Sequence, residues 1–181
     1  MTVKQIFRYL LGTVDLGLWY PISCSFDLVA YTDADYVGCK IDKKSTSEMC
    51  QFLGGCLVSW ASKKQHSVAL SIAEAEYMAV GSCETQVLWI KHLLLDFNVK
   101  LDCVPIFCDN TSAINLTKNL VQQHSRIKHI EIQHHFLRDH VGKDFELKFI
   151  STESQLADIL TKPLSEDWFT MLRTELGLCI V

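Results

Sequence analysis

The run Leu28-Val29-Ala30-Tyr31-Thr32-Asp33-Ala34-Asp35 constrains this chain most, because an apolar strand-forming segment leads directly into carboxylates. Acids at the end of a buried strand lose hydration free energy unless a positive charge, usually a metal ion, compensates them. The fold must therefore bring compensation, or further ligands for a shared cation, to that strand end. Val104–Cys108 repeats the pattern: a short apolar strand gives way to Asp109-Asn110, with a helical segment from Thr111 to Lys118 behind it. Ligands bind at such strand-to-helix junctions in open α/β sheets, although an aspartate there also serves as a plain helix cap. Asp158 lies between Leu156-Ala157 and Ile159-Leu160, in a stretch read as a short helix from Thr152 to Leu160.

A fourth acid comes from the longest helical pattern, Ser71 to Phe97. Ala73, Glu76, Val80, Cys83, Val87, Ile90 and Leu94 recur at spacings of three or four and share one face. Glu76 is the exception on an otherwise apolar or small stripe. Glu74 falls on a different stripe and has no comparable claim. Capping, or a position at the edge of solvent, is the structural alternative for Glu76.

Other segments complete the architecture. Met49–Leu53 and Cys56–Trp60 are joined by Gly54-Gly55, a hairpin signal. Phe145–Ile150 alternates as a strand. Ser165–Leu176 reads as a last helix, with Trp168, Phe169, Leu172 and Leu176 on one face and Gly177 as its stop. The expected class is α/β, with a five-stranded mixed sheet of three antiparallel strands followed by two parallel ones, flanked by helices. Residues 1–22, a short amphipathic helix and an extended piece broken by Pro21, are too small to bury their own apolar faces. They are expected to be the tail of a preceding domain.

Nearly half of the residues are hydrophobic, which excludes a disordered chain, and no apolar run approaches the ~20 residues of a membrane span. Lacking a secretory leader pattern, the chain is expected to be intracellular, not secreted. Its eight cysteines contain no C-x-x-C pair and read as buried thiols. His129, His134, His135 and His140 match no common zinc spacing. Although the net charge is −4, residues 40–66 hold five lysines against Asp42 and Glu48. That excess marks a place for phosphate contacts or a solvated loop face.

If the first and fourth core strands are neighbours, Asp33 and Asp109 lie side by side, and Glu76 and Asp158 can approach from packed helices. Four converging carboxylates suit hard divalent cations with oxygen ligands, and two such ions form a phosphoryl-transfer site.

The strings YTDADYVG, KKSTSEMCQFLGGCLVSWASKKQ, SIAEAEYMAV, IFCDNTSAINL, HIEIQHHFLR and QLADILTKPL resemble the ribonuclease H domain of Ty1/copia-type retrotransposon Pol polyproteins. The resemblance covers residues 26–164, and FRYLLGTVDLGLWY is similar to the connecting segment after the reverse transcriptase; 165–181 would be a C-terminal helix and tail. It implies a ribonuclease H-like fold and an endonuclease cutting the RNA strand of RNA·DNA hybrids with two Mg²⁺, or Mn²⁺. The implied catalytic and metal-binding acids are Asp33, Glu76, Asp109 and Asp158. The implied partners are the hybrid and a reverse transcriptase domain of the same polyprotein, in a cytoplasmic virus-like particle or the nucleus.

Shape recognition of a hybrid through backbone contacts makes Lys43, Lys44, Ser45, Lys63, Lys64 and Asn110 the candidate nucleic-acid-binding residues. Two departures stand out. Glu48 follows Ser45-Thr46-Ser47 where the family usually has glycine, and the loop Ile150–Ser154 lacks the histidine that cellular ribonucleases H carry before their last acid. His129 or His135 could take over proton handling. The alternative functions are a catalytically silent remnant or structural module of a reverse transcriptase, and an integrase-like transferase, for which Asp144 stands near the position of the closing glutamate.

Overall fold

The computed structural model describes residues 2–22, 25–39, 41–118 and 140–180, so the expected helix from Ser125, with His129, His134 and His135, lies outside the described residues up to position 139. In chain order the elements are α1 (Thr2–Gly12), β1 (Leu16–Leu18), β2 (Leu28–Asp35), β3 (Thr46–Leu53), β4 (Cys56–Lys64), α2 (Ile72–Asp96), β5 (Val104–Cys108), α3 (Thr111–Lys118) and β6 (Phe145–Phe149). Two 3₁₀ turns follow, Thr152–Ser154 and Leu156–Leu160, then α4 (Glu166–Glu175) and β7 (Leu178–Ile180).

Five strands form one sheet in the order β4-β3-β2-β5-β6. The first three are antiparallel, and β5 and β6 are parallel to β2. Gly54 and Gly55 turn the β3–β4 hairpin with φ of 59° and 78°, the left-handed pair that a two-residue turn requires. Pairing persists beyond the apolar run: Thr46 faces Lys64 and Ser47 faces Lys63, which makes the last residues of β4 strand rather than loop.

Helix α2 covers one face of the sheet. Val80, Cys83 and Val87 on its stripe are fully buried against Ala30, Ile106 and Leu147. Fully burying a valine side chain contributes about 1.5–3 kcal/mol, which makes this stripe the main anchor of the helix. Ser71 caps the helix by accepting from the Glu74 N–H at 3.2 Å, while Glu74 turns back and accepts from the Leu70 N–H at 2.7 Å. The second 3₁₀ turn and α4 cover the opposite face, where Cys50, Phe52, Leu57, Leu156 and Leu172 pack together. The short helix expected over Thr152–Leu160 is two 3₁₀ turns, with Asp158 on the second, because the extended backbone of Gln155 (φ −77°, ψ 103°) separates them.

The N-terminal segment is tied to this second face. β1 pairs with β7, and the Tyr20 hydroxyl donates to the Leu57 carbonyl at 2.7 Å. By contrast, Ile6, Phe7 and Leu10 of α1 are exposed. Among the described residues no helix is long and apolar enough to cross a membrane.

Candidate metal centre

Sheet register places the first two acids level with each other. Ala30 of β2 is aligned with Ile106 of β5, so Asp33 and Asp109, each three residues further on, reach the same end of adjacent strands. Helix α2 brings Glu76 over this end from one face, and the second 3₁₀ turn brings Asp158 from the other. Asp33, Asp35, Glu76 and Asp109 line an open cleft together with Tyr36, Ile72, Asn110, Thr111 and Lys162. Glu76, Cys108 and Asp109 offer ligand atoms within 4.8 Å of one another. Asp158 lies behind the cleft and is linked to Asp33 through Lys162, whose Nζ is 2.8 Å from Asp158 Oδ1 and 2.9 Å from Asp33 Oδ2.

Three polar contacts set this geometry. Gln155 is fully buried, and its Nε2 donates to the Thr32 carbonyl at 3.0 Å, which fixes the 3₁₀ turn one residue from Asp33. The Thr152 hydroxyl donates to Asp109 Oδ2 at 2.7 Å. Gln65 Nε2 donates to Ser47 Oγ and the Ala75 carbonyl, both at 2.9 Å, and so joins the end of β4 to the first turns of α2. Gly38 lets the turn after β2 close on Asp35, since a Cβ there would lie 2.1 Å from Asp35 Oδ2.

The cluster holds more negative charge than its cation neutralises. Burial, then Asp33 and Asp109, push Glu76 up to about 9. Burial, opposed by the bond to Lys162 and reinforced by Asp33, lifts Asp158 to about 6. Asp33 Oδ1, Glu76 Oε2 and Asp158 Oδ2 are buried without a hydrogen-bond partner. Buried carboxylate oxygens left without donors fit the coordination needs of a hard divalent ion. The Cys108 thiol fits poorly as a ligand: burial pushes it up to about 12, and it accepts from the Asn110 N–H at 3.4 Å.

One residue noted only as a departure proves to be part of this region. Glu48 faces Asp33 across the β2–β3 ladder and is fully buried. Its carboxyl lies beside Thr161 and Asp33 without good hydrogen-bond geometry to either, and burial followed by the Asp33 charge raises it to about 9. Lys162 had no sequence signal either, apart from its i,i+4 spacing from Asp158.

The residues expected to meet nucleic acid divide into several environments. Lys43 and Lys63 are exposed and Lys44 is partly so. Lys64 is exposed but pairs with Asp42 and donates to Cys39 Sγ at 3.3 Å. Ser45 is turned inward, fully buried, and its hydroxyl accepts from the Val37 N–H at 3.1 Å, so it supports the turn instead of facing a ligand. Asn110 lines the cleft while its Oδ1 accepts from the Ala113 N–H at 3.1 Å, capping α3. Asp144 lies at the other end of the sheet, where its carbonyl accepts from the Val104 N–H at 2.9 Å, so the fold does not bring it to Asp33 and Asp109.

No family model matches the chain. It is 41% identical over 177 residues to the retrovirus-related Pol polyprotein from transposon RE1 of Arabidopsis thaliana, which covers 97% of this chain and 12% of that protein. A tobacco counterpart from transposon TNT 1-94 (Nicotiana tabacum) is 39% identical over 180 residues, covering 97% of this chain and 13% of its own length. The yeast transposon Ty1-NL2 Gag-Pol polyprotein (Saccharomyces cerevisiae) is 28% identical over 173 residues, 93% of this chain and 10% of its own. The chain thus spans a small part of the curated relatives it matches. Among solved structures, the N-terminal RNase H domain of a Mycobacterium tuberculosis protein superposes with a TM-score of 0.54 at 10% identity, covering 83% of this chain and 98% of that one. LC11-RNase H1, isolated from compost by a metagenomic approach, superposes at 0.53 and 15% identity over 75% of this chain and 92% of its own.

Proposed function

We propose that this chain, a ribonuclease H fold homologous to part of the Pol polyproteins of copia-type transposons, hydrolyses the RNA strand of RNA·DNA hybrids during retrotransposon reverse transcription. The observation that carries the reading is the convergence of Asp33, Glu76 and Asp109 on one cleft, with Asp158 joined to them through Lys162. Each comes from a different element, and several of their buried oxygens have no protein donor. A comparison structure of LC11-RNase H1 in complex with an RNA/DNA hybrid, with a TM-score of 0.51, adds support for the substrate class.

Asp33, Glu76, Asp109 and Asp158 would hold two Mg²⁺ or Mn²⁺ ions. When bound, such ions supply an activated water and neutralise charge on the phosphate and leaving oxygen. Thr152 and Gln155 hold Asp109 and the Asp158 turn in place. Lys43 and Lys63, both exposed, and the partly exposed Lys44, with Asn110 at the cleft, would contact the backbone of the hybrid, whose wide minor groove displays 2′-hydroxyls. Residues 1–22 would connect the domain to a reverse transcriptase of the same polyprotein, inside a cytoplasmic virus-like particle or in the nucleus.

Cleavage of a labelled hybrid in Mg²⁺ and in Mn²⁺ tests the reading, with RNA·RNA and DNA·DNA as controls. Cutting of the hybrid alone, reduced at least about a hundredfold by Asp109→Asn, is the expected result. A folded chain that leaves the hybrid intact, both alone and fused to a reverse transcriptase, would reject it.

A further inference from the structure

The ion pairs of Lys162 carry an inference that rests on the metal reading above. Its Nζ lies 2.9 Å from Asp33 Oδ2 and 2.8 Å from Asp158 Oδ1, close to the distance a charge-assisted hydrogen bond adopts. Among the described residues lining the cleft it is the sole basic side chain. Glu76 and Asp109, on the other side of Asp33, receive no such bond from it. The cluster is therefore divided: one part is open and holds only carboxyl groups, and the other already contains a cation.

We infer that Lys162 is a resident cation of this centre: its ammonium occupies the seat between Asp33 and Asp158, and a divalent ion held by both acids binds only by displacing it. An ion at Glu76 and Asp109, whose ligand atoms lie within 4.8 Å of one another, meets no such competitor and binds first. The two ions consequently bind with unequal affinity, and the inequality resides in one side chain. Lysine suits the role because its charge is compact and rides on a flexible four-carbon stem, so it can leave without moving the backbone. Its backbone is held beside the 3₁₀ turn by its own N–H, which donates to the Asp158 carbonyl at 3.0 Å.

Metal-stripped protein is titrated with Mn²⁺ while free Mn²⁺ is counted by electron paramagnetic resonance, and Tm is recorded with and without Mg²⁺. Wild type should bind one ion and then a second at least tenfold more weakly. Lys162→Met should bind the second ion at least tenfold tighter than wild type, whereas Lys162→Arg, which keeps the charge, should not. Without metal, Lys162→Met should melt below wild type, and Mg²⁺ should close that gap. Unchanged or weaker second binding in Lys162→Met would overturn the inference and leave the metal reading intact. Failure of the folded wild-type chain to bind Mn²⁺ at all would overturn both. Should Lys162→Met not fold without metal, Lys162→Gln, which retains a donor for Asp158, decides by the same titration.

Discussion

Asp144 and the acids at the cleft, at the two ends of the central sheet, are treated in opposite ways. At the end where β5 and β6 begin, Asp144 accepts from Lys91 Nζ at 3.0 Å and pairs with His140 Nδ1 at 2.8 Å. The hydrogen bonds to His140 and then to Lys91 hold it below its ordinary value. At the far end Lys162 reaches only Asp33 and Asp158, and burial drives Glu48, Glu76 and Asp158 upward. This chain can therefore satisfy an acid with its own side chains. Glu84, close to Asp144, is also buried without donors and pushed up to about 8 by burial and then the Asp144 charge, so it is the convergence of several acids on one cleft, and not a missing donor alone, that points to an external cation.

The largest effect expected from this contrast is on catalysis. Asp33→Asn should reduce hybrid cleavage at least about a hundredfold while leaving the chain folded. Asp144→Asn should do the reverse, leaving cleavage within about twofold and lowering stability by about 1 kcal/mol, a small figure because the pair is 34% exposed on the aspartate side and screened. Parallel cleavage and denaturation assays on the two variants check this. Loss of cleavage in both would mean that the two ends are not functionally distinct.

Next in size is the pH dependence of metal-free stability. Folding raises Glu48 and Glu76 to about 9 and Asp158 to about 6, so the folded state binds more protons than the unfolded chain between the ordinary carboxylate range and those values. Stability from these groups is fully present below about pH 4 and is lost as pH rises through 6 and then towards 9. Asp144 acts in the opposite sense, its contribution disappearing as pH falls through its lowered value. Urea denaturation in chelator should therefore show lower stability at pH 8.5 than at pH 5.5, and Mg²⁺ should restore much of the difference at pH 8.5 only. A flat profile in chelator would show that the acids at the cleft are not strained against one another.

These groups also mark where sequence reading stops. Asp33, Asp109 and Glu76 were visible because each interrupts an apolar pattern of known period, and period is what fixes which face a residue takes. The mixed sheet followed from the same patterns. Lys162 was invisible because it sits in a polar stretch before Pro163, and a lysine there looks like surface until the tertiary fold brings Asp33 to it. Glu48 was legible as a departure and not as a location: only the β2–β3 register shows that it faces Asp33. Ser45 was misjudged for a related reason. Small polar residues in a loop look the same in sequence whether they face solvent or hold a turn, as its bond from the Val37 N–H does here.

Glu48 gives a prediction of intermediate size. Replacing it with Gln removes a buried ionisable group with no well-formed partner, so Glu48→Gln should stabilise the metal-free protein by about 1–3 kcal/mol at pH 8.5 and by much less at pH 5.5, where the glutamate is already neutral. Since Glu48 lies behind Asp33 and does not line the cleft, hybrid cleavage should persist. Equal stabilisation at both pH values would point to a packing effect and remove Glu48 from the electrostatic account.

The smallest effect concerns how the acids are held. Thr152 is exposed and contributes one hydrogen bond, its hydroxyl donating to Asp109 Oδ2 at 2.7 Å. Thr152→Val keeps the shape and removes the donor. A neutral donor to a charged acceptor contributes about 1.5–3 kcal/mol when buried, and less at this exposed position. The bond also restrains one Asp109 oxygen, so its loss should reach the metal before it reaches the fold. Cleavage at limiting Mg²⁺ should fall about three- to tenfold and recover at saturating Mg²⁺, with Tm nearly unchanged. Asp144, held by Lys91 and His140, offers the matched control: weakening its support with Lys91→Met should lower Tm and leave the Mg²⁺ dependence of cleavage where it was. If Thr152→Val instead lowered Tm without changing the Mg²⁺ dependence, the two ends of the sheet would be alike in using their polar contacts for stability, and the division drawn between them would fail at its finest level.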